Sequence, residues 1–179
     1  DTKAAQIARE ILGLNIFEGT LEDAQFPEES FDAISFRHSL EHIASPLSSL
    51  KECFRILKPQ GKIYILTPNS RSLGHRIFKF NWRGLEPPRH AHIFSPHSLR
   101  RLVEKAGFKI NSAWTTSRYA AYYWLESRGR GNSFSRKLAA FFFLLIENLF
   151  LFFKNNGGEE IFLEATKPGA DKPKIEHEF

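Results

Sequence analysis

Phe31-Asp32-Ala33-Ile34-Ser35-Phe36 is a short apolar run between polar turns, and a second such run, Lys62-Ile63-Tyr64-Ile65-Leu66-Thr67, follows it. Between them Leu47, Leu50, Phe54 and Leu57 recur at helical spacing. Both runs have the length and continuity of buried parallel strands. Pro46 suits the first turn of the intervening helix, and Lys58-Pro59-Gln60-Gly61 supplies its stop. Strand, helix and strand in this order make a βαβ unit, whose right-handed crossover lays the helix on a parallel sheet. Ligands of such sheets bind beyond the carboxyl ends of the strands. The stretches to watch are therefore 19–23, 37–42 and the chain from Thr67 onward.

Upstream, Ala4, Ala5, Ile7, Ala8, Ile11 and Leu12 predict a helix closed by Gly13, and residues 15–18 read as a strand leaving it. Downstream, periodicity vanishes over residues 70–95, a length that in a compact domain points to a functional lid. Ser95 is a helix N-cap and Pro96 the first helical residue. The stripe Leu99, Leu102, Val103 and Ala106 follows, with Gly107 at the end. Residues 108–114 and 159–166 read as strands, and residues 168–179 as a polar, disordered tail.

Residues 138–153 are strongly apolar, but Glu147 and Asn148 interrupt them and the run is shorter than the roughly twenty residues of a membrane span. It reads as a helix packed on the sheet or on a partner. Peripheral membrane contact is the alternative, favoured by Arg128, Arg130, Arg136 and Lys137 just upstream.

With 179 residues, 42% apolar and 25% charged, the chain is an ordinary globular domain able to bury a core without cross-links. Its one cysteine, Cys53, excludes an internal disulfide and fits a reducing, cytoplasmic setting. The net charge of +5 comes without a basic stripe interleaved with aromatics, so nucleic acid is not an expected partner. The chain opens on Asp1 inside a helical pattern and contains no methionine, as expected of a fragment of a longer protein.

Several spaced motifs together resemble the distal part of the class I, Rossmann-like S-adenosylmethionine-dependent methyltransferases. Phe31-Asp32-Ala33-Ile34 resembles their fourth strand, and His38-Ser39-Leu40-Glu41-His42-Ile43 the segment after it. Phe54-Arg55-Ile56-Leu57-Lys58-Pro59-Gln60-Gly61-Lys62 is similar to their Arg-x-Leu-Lys-Pro-Gly-Gly signature, with Gln60 in place of the first glycine. Trp82-Arg83-Gly84-Leu85-Glu86-Pro87-Pro88-Arg89-His90, followed by Phe94-Ser95, resembles a more restricted branch. The resemblance implies an α/β sheet of strand order 3-2-1-4-5-7-6 with the last strand antiparallel. Strands one and two, with their glycine-rich cofactor loop and ribose-binding acid, have no counterpart in the sequence. Residues 1–167 then form a partial domain with an open sheet edge, which a second copy could cover in a homodimer.

The resemblance further implies S-adenosylmethionine as cofactor. Gly19, Thr20, Leu21 and Glu22 would flank its adenine, and Phe36, Arg37 and His38 its methionine part. His42 lies one helical turn beyond His38, and two histidines without an evident third ligand give no expectation of a metal. His42 and His90 are the candidate bases or acceptor-orienting groups; Asn69, Trp82, Pro88 and His92 are candidates for the acceptor side, Trp82 and Pro88 as an apolar wall. The expected activity is methyl transfer to a small-molecule acceptor. Two other readings stay open: an inactive binding or scaffold module, and a membrane-surface enzyme acting on a lipid or quinone.

Overall fold

The computed structural model describes residues 2–128, 134–153 and 156–169. The expected disordered tail therefore lies largely outside the described residues, as does Arg130. Helix α1 (Thr2–Glu10) leads through a long irregular stretch to strand β1 (Phe31–Arg37). Then come α2 (Pro46–Ile56), β2 (Leu57–Pro68), α3 (Leu73–Phe78), α4 (Pro96–Lys105) and β3 (Lys109–Thr116). Helices α5 (Ala120–Ser127) and α6 (Phe134–Phe153) precede the last strand, β4 (Glu160–Thr166).

The four strands form one sheet in the order β1-β2-β4-β3. β1 and β2 are parallel, whereas β4 inserts antiparallel between β2 and β3. This is the 4-5-7-6 half of the methyltransferase order, including its antiparallel last strand. Helices α2 and α4 cover one face, burying Leu50, Cys53, Leu99 and Val103 against Leu57, Ile63, Ile65, Ile161 and Leu163. A leucine so enclosed stabilises the fold by about 2–5 kcal/mol relative to alanine. The opposite face is barely covered: Trp114, 48% exposed, stacks on Phe162 with ring centroids 4.4 Å apart.

Capping follows the sequence at α4, where Ser95 Oγ accepts the Ser98 amide and Ser98 Oγ accepts the Ser95 amide. Four local expectations need correction. Residues 15–18 form no strand, because no described strand offers them a ladder; Arg9 instead bonds the Ile16 carbonyl and pairs with Glu18 at 2.6 Å. Lys58-Pro59-Gln60-Gly61 does not separate helix from strand, since α2 runs straight into β2. The register passes from Phe31↔Leu57 to Ala33↔Lys62, so these residues bulge out of the ladder. Residues 70–95 are not structureless: they hold α3 and two 3-10 turns, Lys79–Asn81 and Arg83–Leu85. Finally, α6 packs on α5 rather than on the sheet, through Ala140 and Phe143 against Ala120 and Trp124.

Candidate active site

At the carboxyl ends of β1 and β2 the chain encloses a cavity of about 490 Å³. β1 contributes Arg37 and, just beyond it, His38; β4 contributes its first residue, Glu160; α5 and the turn before it contribute Tyr119, Tyr122 and Tyr123. The segment 83–90 closes the remaining side with Arg83, Glu86, Arg89 and His90.

His38 leaves the strand in a left-handed backbone conformation (φ 49°) while its amide still bonds the Leu66 carbonyl. That turn aims the imidazole between two buried carboxylates. His38 Nε2 is 2.9 Å from Glu160 Oε1, and Nδ1 is 3.5 Å from Glu41 Oε1. The bond to Glu160, and then the neighbouring Glu41 carboxylate, outweigh burial and push the His38 pKa up to about 9, so the ring is cationic at neutral pH. For Glu41, burial raises the pKa, but the neighbouring His38, its own amide and Thr67 outweigh it and hold the carboxyl below its ordinary range. Thr67 Oγ1 donates to Glu41 Oε2 at 3.0 Å. Glu41 Oε1 has no hydrogen-bond partner although it is buried.

His42 and His90 come from segments far apart in sequence and meet with ring centroids 4.8 Å apart. His42 Nδ1 donates to the Arg89 carbonyl at 2.8 Å, and His90 Nδ1 to the Gly84 carbonyl at 2.7 Å. A carbonyl only accepts, so in each neutral ring the proton sits on Nδ1 and the lone pair on Nε2. Glu86, in a left-handed conformation (φ 32°), pairs with Arg83 and with Arg89 at 2.6 Å. These bonds, the first from Arg83, hold its carboxyl below the ordinary range.

Behind the cavity lies an acidic layer. Glu159 is buried, with Oε1 accepting the Gly74 amide at 2.7 Å and Oε2 the Trp82 indole at 2.6 Å. A side chain on residue 74 would collide with that carboxylate. Burial pushes Glu159 up to about 7. Glu147, on α6, is fully buried with both oxygens lacking a hydrogen-bond partner. Burial, and then the charge of Glu159, push it up to about 9, so it is protonated at neutral pH.

Of the residues singled out in the sequence, Arg37, His38, His42 and His90 meet in this cavity. Phe36 packs against the main core. Gly19, Thr20, Leu21 and Glu22 lie elsewhere. Thr20 closes on Asp23 (Oγ1 to Oδ2, 2.6 Å), Glu22 accepts from Ser49 of α2 at 3.0 Å, and Leu21 packs on the core. Asn69 is fully buried and donates to the Asn156 and Gly158 carbonyls, so it braces the chain before β4. Trp82 stands behind the cavity, stacked on Tyr123 and His75. Pro88 is exposed, and His92 turns away to the Ala44 carbonyl at 3.1 Å. Sequence reasoning passed over Glu41, Glu160 and the tyrosines. The acids were signalled by their place, a charged pair opening an apolar strand and a Glu between two histidines.

A family model described as a methyltransferase domain matches residues 1–113. A Mycolicibacterium smegmatis protein named "Probable S-adenosylmethionine-dependent methyltransferase" is 25% identical over 146 residues, 72% of this chain and 54% of its own. A ubiquinone biosynthesis O-methyltransferase of Cereibacter sphaeroides is 33% identical over 94 residues, 49% of this chain and 38% of its own. The chain thus spans about half the length of the first of these relatives. Among solved structures, a SAM-dependent methyltransferase of Thermotoga maritima superposes with a TM-score of 0.61 at 23% identity, covering 92% of this chain and 69% of its own.

Proposed function

Because this chain belongs to the class I S-adenosylmethionine-dependent methyltransferase family, we propose that the protein transfers a methyl group from S-adenosylmethionine to a small-molecule acceptor seated beside His42 and His90. The observation that carries this reading is the cavity itself. It opens at the carboxyl ends of two parallel strands, where such sheets bind ligands, and its volume of about 490 Å³ suits a small molecule.

The donor set fits the cofactor at one end. The Arg37 guanidinium, which lines the cavity, suits the carboxylate of its methionine part. The turn at 19–23, expected beside the adenine, is closed on itself by Thr20 and Asp23. When bound, the cofactor supplies a sulfonium-borne methyl group for in-line displacement. The protein's own task is to hold the acceptor in line and keep water out. His42 and His90 turn their Nε2 lone pairs toward the acceptor, to orient its hydroxyl or amine and receive its proton. Tyr119, Tyr122 and Tyr123 form the facing wall.

Calorimetric titration of the full-length protein with S-adenosylhomocysteine tests the reading. Binding that weakens about tenfold in Arg37→Ala supports it. Absence of binding hands the fold to the scaffold reading.

A second element bears on the acceptor's source. Helix α6 exposes Phe141, Phe142, Leu145, Ile146, Leu149 and Phe152 along one side. No helix among the described residues is long and apolar enough to cross a membrane. An apolar flank of this extent supports peripheral contact with a bilayer, from which a lipid-soluble acceptor would be drawn. The outer edge of β1 has no described strand against it, and a second copy of the chain would cover it in a homodimer.

A further inference from the structure

We infer that Glu41, His42 and His90 form a binding site for one divalent transition-metal ion, with Zn²⁺ as the best match. Their ligand atoms already lie within 4.8 Å of one another. Three independent features point to a ligand rather than to a chance cluster.

The first is the state of the two imidazoles. Each spends its Nδ1 proton on a backbone carbonyl, Arg89 for His42 and Gly84 for His90. This is the outer-shell arrangement that fixes the tautomer and ring orientation of metal-binding histidines and leaves Nε2 free to coordinate. The second is Glu41 Oε1. The side chain is fully buried, Oε2 is tied by Thr67, and Oε1 has no hydrogen-bond partner. His38 Nδ1, 3.5 Å away, makes an ion pair with it. A buried carboxylate oxygen left in this state costs free energy that a cation would recover. The third is the donor set: two histidines and one glutamate with positions to spare match the open, three-ligand zinc sites of hydrolytic enzymes. Imidazole with carboxylate also suits Mn²⁺ and Fe²⁺.

The fit requires modest movement. Zinc bonds of about 2.1 Å put tetrahedral donors roughly 3.4 Å apart. With one ligand atom of each residue within 4.8 Å of the others, the trio has to draw together to reach that spacing. Glu86 stands 3.6 Å from His90 Nε2 but is held by Arg83 and Arg89. Both histidines line the cavity, so the free coordination positions open into it, where water or an oxygen of the acceptor completes the shell. That last role rests on the methyl-transfer reading: the ion, rather than a free imidazole, would then hold the acceptor oxygen and lower its pKa. Occupancy of the site does not depend on it.

The test is titration of tag-free, chelator-stripped full-length protein with ZnCl₂ in a calorimeter, with Co²⁺ absorption as a second readout. One ion per chain is expected. His42→Ala and His90→Ala should each weaken uptake at least about tenfold and the double variant should abolish it. Exposed His97→Ala should leave it unchanged, and circular dichroism checks that each variant is folded. Glu41→Gln, which keeps the side-chain shape, should weaken uptake and alter the Co²⁺ spectrum. Failure of the wild type to take up one equivalent, or uptake that survives loss of both histidines, overturns the site. A protein that binds S-adenosylhomocysteine but not zinc refutes the ion alone; one that binds zinc but not S-adenosylhomocysteine refutes methyl transfer alone.

Discussion

The indole nitrogen of Trp82 donates to Glu159 Oε2 at 2.6 Å and so ties the segment over the cavity to the residue that precedes β4. The same carboxylate takes the Gly74 amide through its other oxygen. One buried acid thus fastens two points of the connection between β2 and α4, and the Trp82 ring, stacked on Tyr123, carries that order to the cavity wall.

Trp82→Phe keeps an aromatic ring but removes the donor, leaving a buried carboxylate oxygen unpaired. A loss of about 1–3 kcal/mol is expected, read from urea denaturation. A stability equal to that of the wild type would show that the bond adds nothing net.

Stability should fall as pH rises. Glu147 has its pKa pushed up from 4.5 to about 9, and Glu159 from 4.5 to about 7. Between the unfolded and folded values the folded chain holds more protons than the unfolded one, so each unit of rising pH favours unfolding. Glu147→Gln removes the larger of the two effects. The unfolding free energy of the variant, read from urea denaturation, should decline less with pH and exceed that of the wild type by about 1–3 kcal/mol near the top of that window. Parallel pH profiles for the two proteins would sink this account.

Gln60 occupies the position that is glycine in the family signature and has φ 67°, in the left-handed region. Its amide bonds the Lys167 carbonyl, which holds the strained turn in place. Gln60→Gly should relieve the strain and raise stability by roughly 0.5–1 kcal/mol, less whatever the freer unfolded chain takes back. Thermal unfolding measures the sign, and a lower midpoint would contradict it.

If α6 touches membranes, charge on its outer face should prevent it. The double variant Phe142→Asp, Ile146→Asp alters two side chains that are 53% and 57% exposed, so the fold should hold. Co-sedimentation with anionic vesicles should drop at least about fivefold. Unchanged sedimentation, or none for the wild type, would leave that face to another protein.

Much of the fold was legible because its signals are local. The βαβ unit around Phe31, Leu50 and Ile63 follows from apolar period and continuity, and the start of α4 from Ser95 and Pro96. Residues 15–18 misled because a strand is defined by its neighbour, and no ladder partner is present among the described residues. The burial of α6 on α5 was likewise invisible, since an apolar run says that it must be covered but not by what.

The amino-acid sequence alone determined the sheet's strands, the family likeness, and that histidines cluster near strand ends. Only the tertiary structure decided which histidines meet. His38 and His42, one turn apart in the chain, part company, with His38 drawn to Glu160 and His42 to His90. The physical reason is that hydrogen bonds and charge pairs act over a few ångströms of space. Chain folding brings residues from β1, β4 and the 83–90 segment within that range, and spacing along the sequence carries no record of it.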